Sequence, residues 1–284
     1  MIKPHKKIAK IVSNIPDINQ SPFDFSCGFI IPNYNHHNVI KTTVESLIKF
    51  QMPIIIVDDG SRQETQEILN EIDQKYACIT LIRRAKNGGK GAAVKTGLNV
   101  AIKNEWSHAL QIDADGQHDL SDVEILLKLG KENPLSLISG APSYDASISK
   151  GRYYGRFITH FWVHLETLSF DIKDSMCGFR VYPLKSYKQL ISSTNLGDKM
   201  DFDIEVMVKM YWQGVPIQFM PTKVHYPEDG ISHFNLFEDN ILISLMHTRL
   251  FFGMLLRIPK LLLLKFTRRK MNLISPQRME SNSK

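Results

Sequence analysis

Short apolar runs alternate with helix-length amphipathic segments over the first half of this chain. Cys27 to Pro32, Ile54 to Val57, Ile79 to Ile82, Ala109 to Ile112 and Leu135 to Gly140 read as strands. Between them, the spacing predicts helices near 38 to 50, 62 to 76, 90 to 103 and 119 to 132, the last capped by Asp119 or Ser121. Such alternation predicts an α/β fold with a mainly parallel sheet sandwiched by helices, because crossover helices cover both faces and leave the strands continuously apolar. Past residue 141 the pattern is less regular. A helix is expected from Tyr153 to Leu168, a turn at Cys177-Gly178 and a helix from Phe202 to Gln213. No repeat or low-complexity linker divides the stretch, so 26–232 reads as one domain.

From Leu236 to Phe266 the chain is strongly apolar but interrupted by His247, Arg249, Arg257, Pro259, Lys260 and Lys265. Its charge-free stretches fall short of the roughly 20 residues a spanning helix needs. At 100° per residue the polar positions scatter, so no clean amphipathic stripe emerges. A helical, membrane-associating tail over 233–270 is expected, packed partly on the domain and partly into lipid, with Leu261 to Phe266 and the following Thr267-Arg-Arg-Lys270 as an interfacial anchor. The alternative is a C-terminal helix buried in a core or a dimer interface. Residues 1–25 read as a basic tail without the apolar core of a signal peptide, and 271–284 as a disordered tail.

Charge sharpens this picture. The formal net charge of the 284 residues is +6, yet nine Lys or Arg and a single acid, Glu280, fall between Arg249 and Lys284, which leaves the body close to neutral. That distribution argues against a nucleic-acid binder and suits an anionic membrane surface. Three widely spaced cysteines, Cys27, Cys78 and Cys177, match neither a disulfide framework nor a zinc site, and point to a reducing compartment.

Candidate chemistry concentrates where strands end. Asp113-Ala-Asp115-Gly-Gln-His118 follows the Ala109 to Ile112 run and delivers two carboxylates into a loop, as needed to hold a hard divalent cation against a diphosphate. Asp115 is the better ligand; Asp113 could instead hold a ribose or support the loop, with Gln117 or His118 nearby. Alone, such a pair is more often a solvated turn. A second acidic turn, Asp58-Asp59-Gly60-Ser61, follows another strand, and open α/β sheets bind nucleotides at such strand ends. Gly89 to Thr96 nearly spells a P-loop, but Val94 stands where the second glycine must be. A loop entering a helix, with Lys90 near the donor's charge, fits better. Lys150, Arg152 and Arg156 cluster at a helix start, where cations oppose the dipole, so they could grip an anion or form a solvated basic face. Asp201, Asp203 and Glu205 surround another helix start, where at least one serves the dipole and one could be a general base.

Together, Ile31-Pro32-Asn33-Tyr34-Asn35, Val57-Asp58-Asp59-Gly60-Ser61, Asn87 to Gly91, Asp113 to His118 and Cys177-Gly178-Phe179-Arg180 resemble glycosyltransferase family 2, in family order and over roughly 27–233. The branch most resembled contains the dolichol-phosphate mannose and glucose synthases. The resemblance implies a Rossmann-like GT-A fold and inverting transfer from a nucleotide-sugar, UDP- or GDP-linked. It implies that Pro32, Tyr34 and Asn35 frame base and ribose, that Asp59 binds the nucleoside with Lys90 close by, and that Asp113 and Asp115 serve the diphosphate and Mg2+ or Mn2+, with Gln117 adjacent. His36 departs from the family's usual glutamate. Tyr226 to His233 resembles the acceptor-side segment that closes over the donor. For a hydroxyl acceptor, Asp203 and then Asp201 are the candidate bases. For a polyprenyl phosphate no base is needed, and Arg152, Arg156 and Arg180 matter more. The basic apolar tail favours a lipid-linked acceptor at the inner face of the cell membrane. Rival readings are a nucleotidyltransferase, whose sheet and acidic loop look similar, and a silent membrane scaffold.

Overall fold

A computed structural model describes residues 24–143, 150–224 and 235–274, and of 150, 152, 153, 236 and 268–274 it describes the backbone only. The expected terminal tails and the Tyr226 to His233 segment therefore lie almost wholly outside the described residues. Seven strands form one sheet in the order β3-β2-β1-β4-β6-β5-β7. They are β1 Cys27–Asn33, β2 Ile54–Asp58, β3 Ile79–Arg83, β4 His108–Gln111, β5 Leu137–Ser143, β6 Arg180–Pro183 and β7 Ile217–Lys223. β1 pairs in parallel with both β2 and β4, and β5 with β7, while β6 runs antiparallel between β4 and β5. The mainly parallel sheet expected from the alternation is thus present, with one reversed strand.

The continuous apolar character of β1 and β2 follows from cover on both faces, since every residue of either strand is buried. Phe29, Ile31, Ile54 and Ile56 face α1 (His37–Ile48), α2 (Gln63–Lys75) and α4 (Val123–Glu132). Ile30, Ile55 and Val57 face α3 (Lys90–Lys103) and α7 (Phe202–Gln213). Gly97 lets α3 lie close on the sheet, because a Cβ there would come within 2.4 Å of Ile30 Cγ2. Asp119 caps the helical turn before α4, its Oδ1 accepting from the backbone N–H and hydroxyl of Ser121.

Three elements escape the sequence pattern: β6, α6 (Leu184–Ile191) and β7. β6 is four residues long and opens on a fully buried arginine, so it lacks an apolar run. β7 is an edge strand carrying Gln218, Pro221 and Lys223, as an edge tolerates. β5 starts at Leu137 rather than Leu135, which is exposed.

The C-terminal apolar segment is two helices, α8 (Leu236–Leu255) and α9 (Ile258–Ile274), bent by 78° at the break. Pro259 lies in the first turn of α9, where its missing N–H costs nothing. No single described helix is long and apolar enough to cross a membrane; the bent pair taken together meets that test by length and composition only. α8 packs on α5 (Lys150–Thr167) and contributes Met246, Leu250 and Met254 to the core.

Candidate active site

Strand order reverses direction at β1, which has β2 on one side and β4 on the other, and their carboxyl ends open a crevice there. Three loops meet at it. After β1, the Asn35 backbone adopts φ 58°, its N–H donates to Ser61 Oγ at 3.0 Å and its Oδ1 accepts from the Arg62 N–H at 2.8 Å. Asn35 therefore staples the first loop to the second. Pro32 is buried in β1, and Tyr34 is half-buried at the crevice edge.

In the second acidic turn the two aspartates split their work. Asp58 Oδ1 accepts from the Ser61 N–H at 3.0 Å and closes the turn. Asp59 accepts from the backbone N–H groups of Gly88 and Gly89 at 3.1 and 2.8 Å and from Arg84. Burial pushes its carboxyl up, against the pull of the two amides and the guanidinium. Expected to bind the nucleoside, Asp59 is also the anchor of the glycine loop, a role with no signature in the local sequence.

That anchoring aims Lys90, the first residue of α3, across the crevice. Its Nζ lies 2.7 Å from Asp113 Oδ2 and 2.8 Å from Asp203 Oδ2. Burial alone would lower the ammonium's pKa, but the two carboxylates outweigh it and hold the pKa raised. Burial would likewise raise Asp113, yet Lys90 and His118 keep it well below the usual carboxylate range. Asp113 also accepts from Gln111 Nε2 at 3.2 Å, and Gly178 leaves it room, since a Cβ there would sit 2.4 Å from Asp113 Oδ2. The glycine of the Cys177-Gly178 turn is thus required by a carboxylate at the far end of another strand.

Asp115 lies half-buried in the turn beyond, where Gly116 is exposed with φ 70° and Asp115 Oδ1 accepts from the half-buried Gln117's N–H at 3.1 Å. His118 stacks on Phe179 with centroids 4.9 Å apart, 3.5 Å from Asp113 Oδ2, and among the described residues neither ring nitrogen makes a hydrogen bond. A cavity of ≈ 130 Å³ opens here between α1 and the acidic loop, lined in part by Val39, Thr43, Asp113, Gly116 and His118.

Two of the acceptor-side candidates, Arg180 and Arg156, are engaged within the protein. Arg180 is fully buried; it donates to the backbone carbonyls of Asp203 at 2.6 Å and Ser175 at 2.7 Å, and so braces the start of α7 instead of facing a substrate. Arg156 is committed to Asp174, with Nε 2.9 Å and a terminal nitrogen 2.8 Å from Asp174 Oδ2. Asp174 in turn accepts from the Met176 and Cys177 N–H groups and faces His160 at 3.5 Å, a cluster with no sequence signal. The Arg152 side chain lies outside the described residues. Asp201 is buried, accepts from the Lys199 N–H at 3.2 Å, and has its carboxyl raised by burial and by Glu205. Asp203 Oδ1 makes no hydrogen bond among the described residues and lies 3.9 Å from Arg180.

Among the described residues no three His, Cys, Asp or Glu side chains converge as a metal cage. Asp113 and Asp115 nevertheless fit Mg2+ or Mn2+, hard cations that commonly take one or two carboxylates and fill the remaining positions with substrate phosphates and water. Asp115, half-buried and free of ion pairing among the described residues, is the more available of the two, since Asp113 is paired with Lys90.

A mainly parallel sheet flanked by helices, with an acidic loop and a clamped lysine at its topological switch point, is a GT-A-like architecture. The profile of Glycosyl transferase family 2 matches residues 29–190, more than half of the chain, and the protein belongs to that family. It is therefore a glycosyltransferase. Among its relatives, a dolichyl-phosphate beta-glucosyltransferase of Dictyostelium discoideum is 26% identical over 265 residues, covering 86% of this chain and 79% of the relative. The human dolichyl-phosphate beta-glucosyltransferase is 25% identical, covering 72% and 68%. In fold, the chain is similar to S. aureus TarS in complex with UDP-GlcNAc, with a TM-score of 0.56 at 15% identity over 79% of this chain and 66% of that one. A Pyrobaculum calidifontis mannosyltransferase in complex with GDP-Man and Mn2+ gives a TM-score of 0.50 at 14% identity, over 79% of this chain and 64% of that one. The chain thus spans about two thirds of each solved structure.

Proposed function

We propose that this protein moves a sugar from a nucleotide-sugar donor to a polyprenyl phosphate at the membrane surface, by single displacement with inversion. The observation that carries the reading is Lys90, held between Asp113 at the donor end of β4 and Asp203 on α7. The nucleoside would lie over the Pro32-Asn33-Tyr34-Asn35 turn beside Asp59, with its diphosphate toward Lys90, Asp115 and Gln117. Asp115 and Asp113 would hold Mg2+ or Mn2+, which when bound offsets the negative charge gathering on the leaving nucleoside diphosphate.

A phosphate oxygen is already anionic, so this acceptor needs no general base. That suits an Asp203 whose Oδ2 is occupied by Lys90. The acceptor oxygen attacks the anomeric carbon as the bond from that carbon to the diphosphate oxygen breaks, and orientation supplies most of the acceleration. Were the acceptor a glycolipid hydroxyl, Asp203 and then Asp201 remain the nearest carboxylates for its proton. The names of the two glucosyltransferase relatives and the apolar, basic C-terminal helices support the lipid phosphate.

The test is a matrix of UDP- and GDP-sugars with Mg2+ or Mn2+ and polyprenyl phosphate in vesicles, the products identified by mass. Release of UDP or GDP with a glycosylated lipid phosphate is expected. Release of pyrophosphate would instead mark a nucleotidyltransferase, and transfer confined to a neutral glycolipid would sink the phosphate acceptor.

A further inference from the structure

Exposed large apolar side chains gather on one part of the molecule. On α5, Tyr154, Phe157, Ile158 and Phe161 are 59 to 69% exposed and fall at i, i+3, i+4 and i+7, which places them on one helical face. The opposite face, with Thr159, Val163 and Glu166, is buried in the domain. An ordinary surface helix is polar on its outer side; this one is apolar there.

The stripe does not end at α5. Phe161 meets Trp162, Trp162 packs edge-on against Phe251 of α8, and Phe251 against Phe252, with centroids 5.7 to 6.2 Å apart. Lys265 of α9 donates to the Leu168 carbonyl at the end of α5. Leu256 at the bend and Phe266 on α9 are 84% and 69% exposed. Along most of α8 and on α9 the charges have one sign; the exposed acids nearby, Glu238 and Asp171, are engaged by Lys199 and by the Tyr211 hydroxyl. From Asn240 to Ile274 there is no acid, whereas Arg249, Arg257, Lys260 and Lys265 are exposed. The single acid of α5, Glu166, is fully buried against His247 at 2.8 Å.

We propose that α5, α8 and α9 form one continuous face that docks on an anionic bilayer, so that the catalytic domain itself touches lipid through α5 and does not merely hang from its C-terminal helices. Apolar area would enter the acyl boundary while the basic rim meets anionic headgroups. The face flanks the acceptor side through bonded contacts: Arg156 of α5 holds Asp174, which holds the turn leading to Gly178 beside Asp113. The inference rests on the lipid-linked acceptor proposed above, and explains how a membrane-embedded phosphate reaches the crevice.

The full chain carrying Phe157→Glu with Phe161→Glu tests it, by co-sedimentation with phosphatidylcholine vesicles containing phosphatidylglycerol. Vesicle affinity should fall about tenfold or more, given the apolar area withdrawn. UDP or GDP binding and transfer to a short, water-soluble prenyl phosphate should be unchanged, and transfer to the vesicle-borne acceptor should fall in parallel. Unchanged vesicle binding overturns the proposal even if lipid transfer by the wild type stands. Lost vesicle binding in a protein that never glycosylates lipid phosphate upholds this face and defeats the acceptor. A wild-type dimer that the variant splits to monomers overturns it in favour of a second copy as the occupant. Should the double variant misfold, Phe157→Trp keeps the question open to measurement: its added fluorescence must be quenched by brominated acyl chains, and absence of quenching overturns the proposal.

Discussion

Lys90 Nζ stands 2.8 Å from Asp203 Oδ2, joining the first residue of α3 to the first turn of α7 across the mouth of the crevice. The same ammonium lies 2.7 Å from Asp113. One cation thus compensates two largely buried carboxylates that lie far apart along the chain.

Lys90→Met should leave both carboxylates without their cation. Removing one partner from a buried pair costs about 3 kcal/mol at the lower end of the usual range, appropriate for a lysine side chain 19% exposed. Urea unfolding should register that loss, and UDP or GDP binding should weaken with it. Adding Asp203→Asn should restore part of the stability without restoring nucleotide binding. A double variant no more stable than Lys90→Met would show that the pair is not coupled.

Asp174 gives a pH prediction with a definite sign. Burial alone would raise its carboxyl, but His160 and Arg156 outweigh burial and hold the folded-state pKa well below the ordinary value. A group depressed in the folded state stabilises fully above its unfolded pKa of ~3.9 and loses that contribution as pH falls toward the folded value. Wild type should therefore lose stability faster than Asp174→Asn as pH drops below about 4. Parallel stability curves for the two proteins in that window would refute the assignment.

Much of this architecture was legible from residue pattern, and the parts that were not have identifiable reasons. β1, β2 and β4 announce themselves because cover on both faces demands continuous apolar runs, and the acids that follow them fall at the crevice. β6 stayed hidden because its leading residue, Arg180, is buried by paired carbonyls rather than by apolar character. Arg156 and Arg180 read as substrate-facing cations because sequence carries no record of the carboxylate and carbonyls, distant along the chain, that absorb them. Lys90 was expected beside a phosphate; that it also touches Asp203 depends on packing of α3 against α7.

Asp115→Asn probes the proposed metal-holding role with little risk to the fold, since Asp115 is half-buried in a turn and, among the described residues, its carboxylate is engaged by the Gln117 backbone N–H alone. Stability should change by less than about 0.5 kcal/mol. Transfer should fall by about 100-fold or more, comparable to loss of one preorganised charge-stabilising group. Chelation of divalent ions should abolish wild-type transfer, with Mn2+ restoring it. Retention of wild-type rates by the variant at limiting Mn2+ would remove Asp115 from the site.

Gly178→Ala separates geometry from charge. A methyl group there would lie 2.4 to 2.7 Å from the carboxylate of Asp113, with both oxygens inside contact distance, so one of the two must move. Asp113 is the movable partner, and displacing it lengthens its 2.7 Å contact with Lys90 without deleting any charged group. Overpacking of this kind costs about 1 to 3 kcal/mol. Transfer should fall far more than that stability loss implies at working temperature, because the folded protein persists with its donor loop misaligned. A companion Gly151→Ala variant, whose new methyl meets nothing within 4 Å among the described residues, should retain both stability and activity. Equal activity of the Gly178→Ala protein and wild type would mean that the position of Asp113 is not what the turn at Gly178 protects.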